Sequence, residues 1–222
     1  MPNKTSIYKA DDIYKDIKNA IINFEYEPGR QISENEIASK CGISRTPVKS
    51  VFTRLENEGF LNVLPQRGTY VSYLDSKNIN NFIYMRLVLE VDILEKFINQ
   101  LTELDILTLE NYINEQKIKS SAPNFVATSF LKEDTKFHGY IYEKVGFLGI
   151  WEEIQKLQVN YTRFRILDLT QSCKFSTLID EHTKLFEAIK EKDLAKCKVL
   201  LKAHLQGNYQ QTIKSDLKKY FI

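Results

Sequence analysis

The stretch that decides the N-terminal fold is Glu25–Val71, EYEPGRQISENEIASKCGISRTPVKSVFTRLENEGFLNVLPQRGTYV. A Pro-Gly pair at 28–29 predicts a turn near its start. Ser33 followed by Glu36 is a capping-box pattern, which predicts a short helix that runs to about Lys40. The stretch therefore begins with a turn and a short, well-defined helix.

A second helix is predicted after a tight turn at Gly42, a residue that enters the left-handed conformation easily. Ser44 is its N-cap candidate, and the helix extends from Arg45 to about Glu58 before Gly59 ends it. Its predicted buried stripe consists of Val48, Val51, Phe52 and Leu55.

Two short β segments follow, Leu61–Leu64 and Thr69–Tyr73, and a helix at about 11–24 precedes the stretch. Helix, short helix, tight turn, second helix and hairpin together predict a winged helix-turn-helix over residues 1–74. The predicted fold class is mainly α: this N-terminal domain with a small β-hairpin wing, then a C-terminal all-α helical bundle.

Basic residues concentrate in the second predicted helix. From Ile37 to Leu55 the chain has four basic residues and no acidic one, although the net charge of the whole chain is only +2. A locally basic stretch is typical of a surface that faces phosphates, and an ordinary solvated face is the alternative. The candidate DNA contacts are Ser44, Arg45, Thr46, Pro47, Lys49, Arg54, Gln66, Arg67, Gly68 and Thr69.

Two arginines have the most specific predicted roles. Arg45 lies at the start of the recognition helix, where it can bond bidentately to guanine O6 and N7. Arg67 lies at the tip of the wing and suits a narrow minor groove or a phosphate. A winged helix used only for protein contacts is the alternative, and the intact charges of the recognition helix argue against it.

The remainder of the 222-residue chain is predicted to be helical, with a linker at 75–78 and a helical domain at 79–222. The first helix, Ile79–Leu101, is apolar on most sides, which indicates burial in a bundle or at a subunit interface. Further helices are predicted at about 103–118, 124–144, 148–168, 176–190 and 193–217.

The composition is that of a globular protein without membrane contact. Hydrophobic residues make up 43% and charged residues 27%, and no apolar run approaches the ~20 residues of a membrane span. The polar segment at 1–16 does not resemble a secretory signal, so a cytoplasmic location is expected. The three cysteines, Cys41, Cys173 and Cys197, form no CxxC pair and are expected to be reduced.

All three histidines fall in the predicted helical domain. His138 follows Asp134 by four residues, so both side chains share one face of a helix, and His182 and His204 lie on later helices. Three imidazoles and one carboxylate make a site for zinc, nickel or another first-row divalent ion. Ordinary core or surface histidines are the alternative.

The Glu25–Val71 stretch resembles the GntR family of bacterial regulators. The motifs PGxxIxE, GxSRTPV, LxxEGF and RGTxV occur in the order and spacing of that family. The resemblance implies a transcription regulator that binds a double-stranded DNA operator, and we expect it to do so as a homodimer. Asn35 and Lys49 stand where the family often has arginine. These two departures are expected to weaken or change DNA recognition but not to change the fold.

Residues 79 to 217 resemble the FCD domain, the metal-binding effector domain of the FadR branch of that family. The matching segments are DTKFH at Asp134–His138, EHTKLFEAI at Glu181–Ile189, and the final His204. Gly146-Phe147 departs from the Gly-Asn that is usual there. The resemblance implies a divalent metal, first of all zinc with nickel or manganese as alternatives, at Asp134, His138, His182 and His204.

The same resemblance implies a small carboxylate effector at that metal. Arg86, in MRLVLE, matches the RxxLE arginine of the family, and Arg163 and Arg165 are weaker candidates for contact with the effector. An intramolecular pair of Arg86 with Glu90 is the alternative, because their i,i+4 spacing permits it.

Three functions remain in competition at this point. The favoured one is a regulator whose operator affinity is controlled by the carboxylate effector, and the alternative is a regulator for which the metal ion itself is the signal. A metal-dependent enzyme fused to a winged helix is disfavoured, because HExxH and nucleophile-bearing motifs are absent from the sequence.

Overall fold

The computed structural model describes residues 9–172, 175–207 and 209–222. The chain divides into two compact units: one holds the residues up to Asp75 together with Lys219–Ile222, and the other holds Ser76–Lys218. This architecture confirms the predicted fold class of a small winged unit and an all-α unit.

Three helices form the body of the N-terminal unit: α1 (Ala10–Ile22), α2 (Glu34–Cys41) and α3 (Arg45–Asn57). The Ser33 hydroxyl accepts the Glu36 N–H at 3.1 Å, as its capping pattern predicts. Gly42 ends α2 in the left-handed conformation, with φ of 67°. The apolar stripe of α3 is buried as predicted, and α1 buries its own stripe in the same core (Ile13, Ile17, Ile21; Val48, Val51, Phe52, Leu55).

A three-stranded antiparallel sheet completes this unit. The hairpin strands are β2 (Leu61–Leu64) and β3 (Gly68–Val71), and β3 also pairs with the two-residue strand β1 (Gln31–Ile32). The sequence did not predict β1, because two residues are too few to show the alternation of a strand. Ile32 is nevertheless buried, so β1 joins the sheet to the helical core.

The last residues of the chain belong to the N-terminal unit. Leu74 and Phe221 form an isolated parallel bridge. The Leu74 N–H donates to the Tyr220 carbonyl and the Ile222 N–H donates to the Leu74 carbonyl, both at 2.9 Å. The Tyr220 ring also packs against Phe24, with ring centroids 5.6 Å apart. The N-terminal unit is therefore built from two separate pieces of the chain.

The second unit consists of helices. The helices are α4 (Ser76–Asn99), α5 (Glu103–Ser120), α6 (Ala127–Lys144), α7 (Leu148–Leu157), α8 (Val159–Ser172), α9 (Phe175–Lys190), α10 (Leu194–Gln206) and the short α11 (Tyr209–Thr212), followed by a 3-10 turn at Asp216–Tyr220. Within the described ranges, none of these helices is long and apolar enough to cross a membrane.

Several helix boundaries in this unit differ from the sequence prediction, and three of the differences change how the elements are connected. The linker predicted at 75–78 includes the first turn of α4, which begins at Ser76. The helix predicted at 148–168 is two helices that meet at Gln158. The helix predicted at 193–217 ends at Gln206, because Gly207 adopts a positive φ of 47°.

The cysteines have the free form that the sequence predicts where they are described. Cys41 is half-buried and Cys197 is buried, and both are free thiols. Burial raises the pKa of the Cys197 thiol to about 11, so this group is a protonated core residue at neutral pH. Cys173 lies outside the described residues.

We expect deletion of Lys219–Ile222 to destabilise the wing side of the N-terminal unit. The deletion removes two backbone hydrogen bonds, which contribute about 0.5–1.5 kcal/mol each, and the aromatic contact with Phe24. Hydrogen exchange measured by mass spectrometry should become about 5- to 150-fold faster in peptides covering residues 70–75. The control is Ile222→Ala, whose side chain is 71% exposed. Equal exchange in the deletion and the control would contradict this role.

Candidate nucleic-acid interface and metal centre

The N-terminal end of α3 is an exposed, basic helix start. Ser44, Arg45, Thr46 and Lys49 are exposed, and the first turn contains no acidic residue. The Ser44 side chain accepts no capping hydrogen bond, so it leaves the first N–H groups of α3 available. Free N–H groups and the positive end of a helix favour anions such as phosphates.

Arg45 is held at this surface by one acidic neighbour. Its Nη2 lies 2.8 Å from Glu34 Oε2, and the Arg45 side chain remains 64% exposed. Ion pairs between exposed groups contribute little stability. Glu34 therefore orients the guanidinium without preventing it from moving to another acceptor.

The wing presents Arg67 on a constrained turn. The Arg67 carbonyl accepts hydrogen bonds from Gln31 Nε2 at 3.2 Å and from the Tyr70 hydroxyl at 2.9 Å. Gly68 has φ of 112°, and a Cβ at this position would lie 2.5 Å from Gln31 Nε2. The positive φ favours glycine at this turn, and Gln66 and the Arg67 side chain are exposed at the tip of the wing.

Arg54 lies in a different environment from the other predicted contacts. Its Nε is 3.2 Å from Glu58 and its Nη1 is 3.4 Å from Asp11, while its guanidinium covers the Tyr14 ring at 3.6 Å. These contacts join the end of α3 to α1. Pro47 and Thr69 are half-buried, so each exposes part of its surface next to the exposed predicted contacts.

In the helical unit, the structure brings the four predicted metal ligands into one buried cluster. Asp134 and His138 come from α6, His182 from α9 and His204 from α10, and one ligand atom of each lies within 4.8 Å of the others. His204 Nε2 is 3.3 Å from His138 Nε2 and 3.4 Å from His182 Nε2. Asp134 Oδ1 is 3.4 Å from His182 Nε2 and 3.6 Å from His204 Nε2.

Each imidazole of the cluster is oriented by a hydrogen bond at its other ring nitrogen. His138 Nδ1 lies 2.9 Å from Glu90 Oε2, His182 Nδ1 lies 2.8 Å from Gln116 Oε1, and His204 Nδ1 lies 2.8 Å from Glu181 Oε2. The Gln116 amide has a fixed orientation, because its Nε2 donates to the Glu133 carbonyl at 3.4 Å. All three partner atoms are acceptors, so each Nδ1 carries the hydrogen.

These tautomers direct three lone pairs to the same point. With hydrogen on every Nδ1, the three Nε2 atoms face one another as acceptors at 3.3–3.4 Å. The buried Asp134 Oδ1 joins them and has no hydrogen-bond partner. Two nitrogens that bind one zinc ion at about 2.1 Å in tetrahedral geometry lie about 3.4 Å apart. Donor type, spacing and a carboxylate oxygen without a hydrogen bond therefore fit a divalent metal.

The electrostatics of the cluster keep Asp134, His182 and His204 in their metal-binding forms. Burial alone would raise the pKa of Asp134, but Arg165 and the neighbouring imidazoles hold it well below its ordinary value. Burial lowers the pKa of His182 and, more strongly, that of His204. A carboxylate and neutral imidazoles are the forms that bind metals.

Aromatic rings enclose the cluster. His182 stacks on Phe137 with ring centroids 4.6 Å apart, and His138 stacks on Trp151 at 6.1 Å. A Cβ at Gly139 would lie 2.7 Å from Trp151 Nε1, so the glycine next to His138 permits this close approach. The rings exclude water from the ligands and lower the local dielectric.

Two of the three predicted effector arginines lie beside the cluster. Arg86 is 2% exposed and pairs with Glu90, which confirms the contact that its i,i+4 spacing permits. Arg165 Nη2 lies 3.6 Å from Asp134 Oδ1, and its Nη1 donates to the Tyr161 hydroxyl at 3.0 Å. Both guanidiniums lie within 6 Å of the Tyr161 ring centroid, at 5.5 Å and 5.8 Å.

Arg163 is also buried, but it is separated from Arg165 by two positions on α8. Residues two apart on a helix point to nearly opposite faces. Since Arg165 faces Asp134, Arg163 faces away from the cluster. Burial lowers the pKa of Arg163 to about 10.

Sequence reasoning did not assign the three Nδ1 partners Glu90, Gln116 and Glu181. For two of them the sequence contained a usable signal, namely a polar residue on a buried helix face. Glu90 lies on the buried face of α4 with Ile93, and Gln116 lies on that of α5 with Leu109 and Ile113. A polar residue on a buried stripe needs a buried partner. Which partner it has is a tertiary fact that spacing along the chain does not contain.

Family comparisons agree with this two-unit arrangement. Residues 9–71 match the family described as bacterial regulatory proteins, gntR family, and residues 82–207 match the FCD domain. The chain belongs to the GntR family. It is a DNA-binding transcription regulator and not an enzyme, and the resemblance stated from its motifs is confirmed.

Two relatives and one solved structure illustrate how far this GntR regulator has diverged. It is 24% identical over 194 residues to the HTH-type transcriptional repressor RspR of Escherichia coli (strain K12), covering 87% of this chain and 84% of that one. It is 23% identical over 201 residues to the Nta operon transcriptional regulator of Aminobacter aminovorans, covering 86% and 89%. E. coli McbR/YncC superposes with a TM-score of 0.65 at 21% identity, covering 91% of this chain and 97% of that one, and shares the fold.

Proposed function

We propose that this regulator recognises its operator with the start of α3 and the tip of the wing. The supporting observations are the exposed Ser44, Arg45, Thr46 and Lys49, the uncapped helix start, and the constrained turn that presents Gln66 and Arg67. Arg45 is the proposed base-reading residue. Arg54 is paired with Glu58 and Asp11 but its side chain remains 52% exposed, so it stays among the proposed DNA contacts.

A homodimer on an inverted repeat is the second part of this proposal. One recognition helix covers too few base pairs to specify a site, and a two-fold axis supplies the second copy. Tyr84 and Val88 support association, since they lie on one face of α4 and are 70% and 51% exposed. RspR is named a repressor, and we propose repression for this chain as well.

Arg45→Ala should weaken binding to the specific operator by about 1–3 kcal/mol and relax the preference at one base pair of each half-site. The measurement is binding to a set of operators with single base-pair substitutions, at fixed salt concentration. The control is Lys40→Ala, which removes the same charge from an exposed position of α2. If the base preference of Arg45→Ala equals that of the wild type at every position, Arg45 does not read a base.

For the helical unit, we infer that Asp134, His138, His182 and His204 hold one divalent transition metal ion per chain. The observation that carries this inference is the convergence of three Nε2 lone pairs with a buried carboxylate oxygen that accepts no hydrogen bond. Zinc is the first expectation, because it accepts mixed nitrogen and oxygen ligands at these separations, and nickel or manganese are alternatives.

The effector of this site is proposed to be a small carboxylate. Among the fully buried charged side chains around the cluster, Arg86 and Arg165 balance Asp134 and Glu90. A divalent cation adds two positive charges to this balanced set, which the half-buried Glu181 offsets in part. An anion that enters next to the metal is therefore favoured, and the buried Arg86 Nη2, which has no hydrogen-bond partner, is available to receive it.

Replacing two metal ligands should weaken metal binding strongly. Loss of a ligand lowers metal affinity on the order of tenfold or more, so His182→Ala with His204→Ala should lower it at least a hundredfold. The measurement is metal content per chain after gel filtration, and Asp180→Asn, at an exposed position of α9, is the control. Full occupancy in the double variant would place the metal elsewhere.

The effector hypothesis makes a prediction about operator affinity. A small carboxylic acid that prefers one state of the metal-loaded regulator by about 1–3 kcal/mol should change operator affinity ~5- to 150-fold. The experiment titrates operator with apo protein, metal-loaded protein, and metal-loaded protein with a panel of small organic and sugar acids. By linkage, operator must change the affinity of an active acid by the same factor.

The same titration separates the alternative function. If metal alone changes operator affinity and no acid changes it further, the ion itself is the signal. If an acid binds the metal-loaded protein with equal affinity in the presence and absence of saturating operator, the helical unit does not communicate with the DNA-binding unit through that acid.

A further inference from the structure

Glu90 connects an arginine to one of the proposed metal ligands. Its Oε1 accepts the Arg86 Nε–H at 2.5 Å, and its Oε2 accepts the His138 Nδ1–H at 2.9 Å. All three side chains are at most 5% exposed, so water does not compete with either hydrogen bond. A single buried carboxylate is thus divided between two donors.

The other two imidazoles are held differently. His182 Nδ1 is bonded to the neutral amide Gln116, which is fixed by the backbone of α6. His204 Nδ1 is bonded to Glu181, which is half-buried on α9. Among the described hydrogen bonds and ion pairs, those at Nδ1 continue to an arginine for His138 alone. The connection through Glu90 is therefore a property of one ligand.

We propose that Glu90 is a positioning residue through which Arg86 sets the strength with which His138 binds the metal. This inference rests on the metal centre proposed above. The carboxylate is shared, so a strong hydrogen bond from Arg86 weakens its hold on the His138 Nδ1–H. A stronger hold makes the imidazole a better ligand, because a hydrogen bond from Nδ1–H to a carboxylate raises the basicity of Nε2.

Arg86 can bind a second acceptor in addition to Glu90. Its Nε is committed to Glu90, while its buried Nη2 has no hydrogen-bond partner. An anion that draws the guanidinium toward itself lengthens the Arg86–Glu90 bond and leaves Glu90 to His138. Anion binding and metal binding then strengthen each other by the same factor, as linkage requires.

Two substitutions of Glu90 test its positioning role. Glu90→Gln keeps the shape but removes the charge, and Glu90→Asp keeps the charge but is too short to reach both partners. We expect each variant to bind Zn²⁺ about 10- to 100-fold more weakly, as measured by competition with a chromophoric chelator. Glu95→Gln, exposed on the same helix, is the matched control and should bind like the wild type. Wild-type affinity in Glu90→Asp would show that charge alone suffices and would overturn the proposal.

Substitution of Arg86 tests the connection itself. Arg86→Met should bind Zn²⁺ more tightly than the wild type, by up to about tenfold, because Glu90 then serves His138 alone. In the Glu90→Gln background the same substitution should have no effect. An equal gain in both backgrounds would mean that the arginine charge acts through space, and the proposal would fail. If Arg86→Met does not fold, as judged by near-ultraviolet circular dichroism, Arg86→Gln replaces it with a smaller gain of the same sign.

A second readout separates this inference from the metal centre on which it rests. The visible absorption of the Co²⁺-loaded protein reports ligand number and geometry directly. Wild-type protein that binds neither Zn²⁺ nor Co²⁺ would refute both the metal centre and the role of Glu90. Wild-type protein that binds metal normally, with unchanged affinity in all Glu90 and Arg86 variants, would refute the role of Glu90 and leave the metal centre intact.

Discussion

The hydrogen bonds at the three Nδ1 atoms determine the chemistry of the helical unit. Glu90, Gln116 and Glu181 each accept one of them, and together with the histidines they involve five helices: α4, α5, α6, α9 and α10. Because Nδ1 carries the hydrogen, the lone pairs of Nε2 converge and repel unless a cation lies among them. Metal binding at this cluster would therefore also stabilise the folded helical bundle.

Buried charge distinguishes this cluster from the rest of the core. Arg86, Glu90, Asp134 and Arg165 are each at most 5% exposed, and well-packed aliphatic residues at such positions are often equally stable or more stable. Asp105 is a contrasting case on α5. Thr102, Tyr140 and Lys144 satisfy its carboxylate and hold its pKa at about 2, although burial opposes them, so its role as a helix cap is explained by stability alone. The buried charges of the cluster are not explained by helix capping in this way.

Much of this molecule could be predicted from its sequence, and the limits have physical causes. Caps, turns and apolar periodicity predicted α1, α2, α3 and the hairpin, because these features depend on residues close together in the chain. The four ligand positions were recognisable from rare histidines at helical spacing and from a family resemblance. The strand β1, the break at Gln158 and the partners of the imidazoles were not, since short pairings and long-range hydrogen bonds leave no periodic pattern. The contact between Arg54 and Asp11 was not predictable either, because it follows from the packing of α1 on α3.

The bridge between Leu74 and Phe221 affects how such regulators can be recombined. The simplest plan for exchanging the helical unit with that of a relative is a single cut between two contiguous blocks of sequence. Here a cut after Asp75 would transplant a winged helix that lacks Tyr220 and Phe221 and with them the bridge at Leu74. A hybrid of this chain that keeps the bridge requires two junctions, one on each side of Ser76–Lys218, so the helical unit is an insertion within the chain of the N-terminal unit.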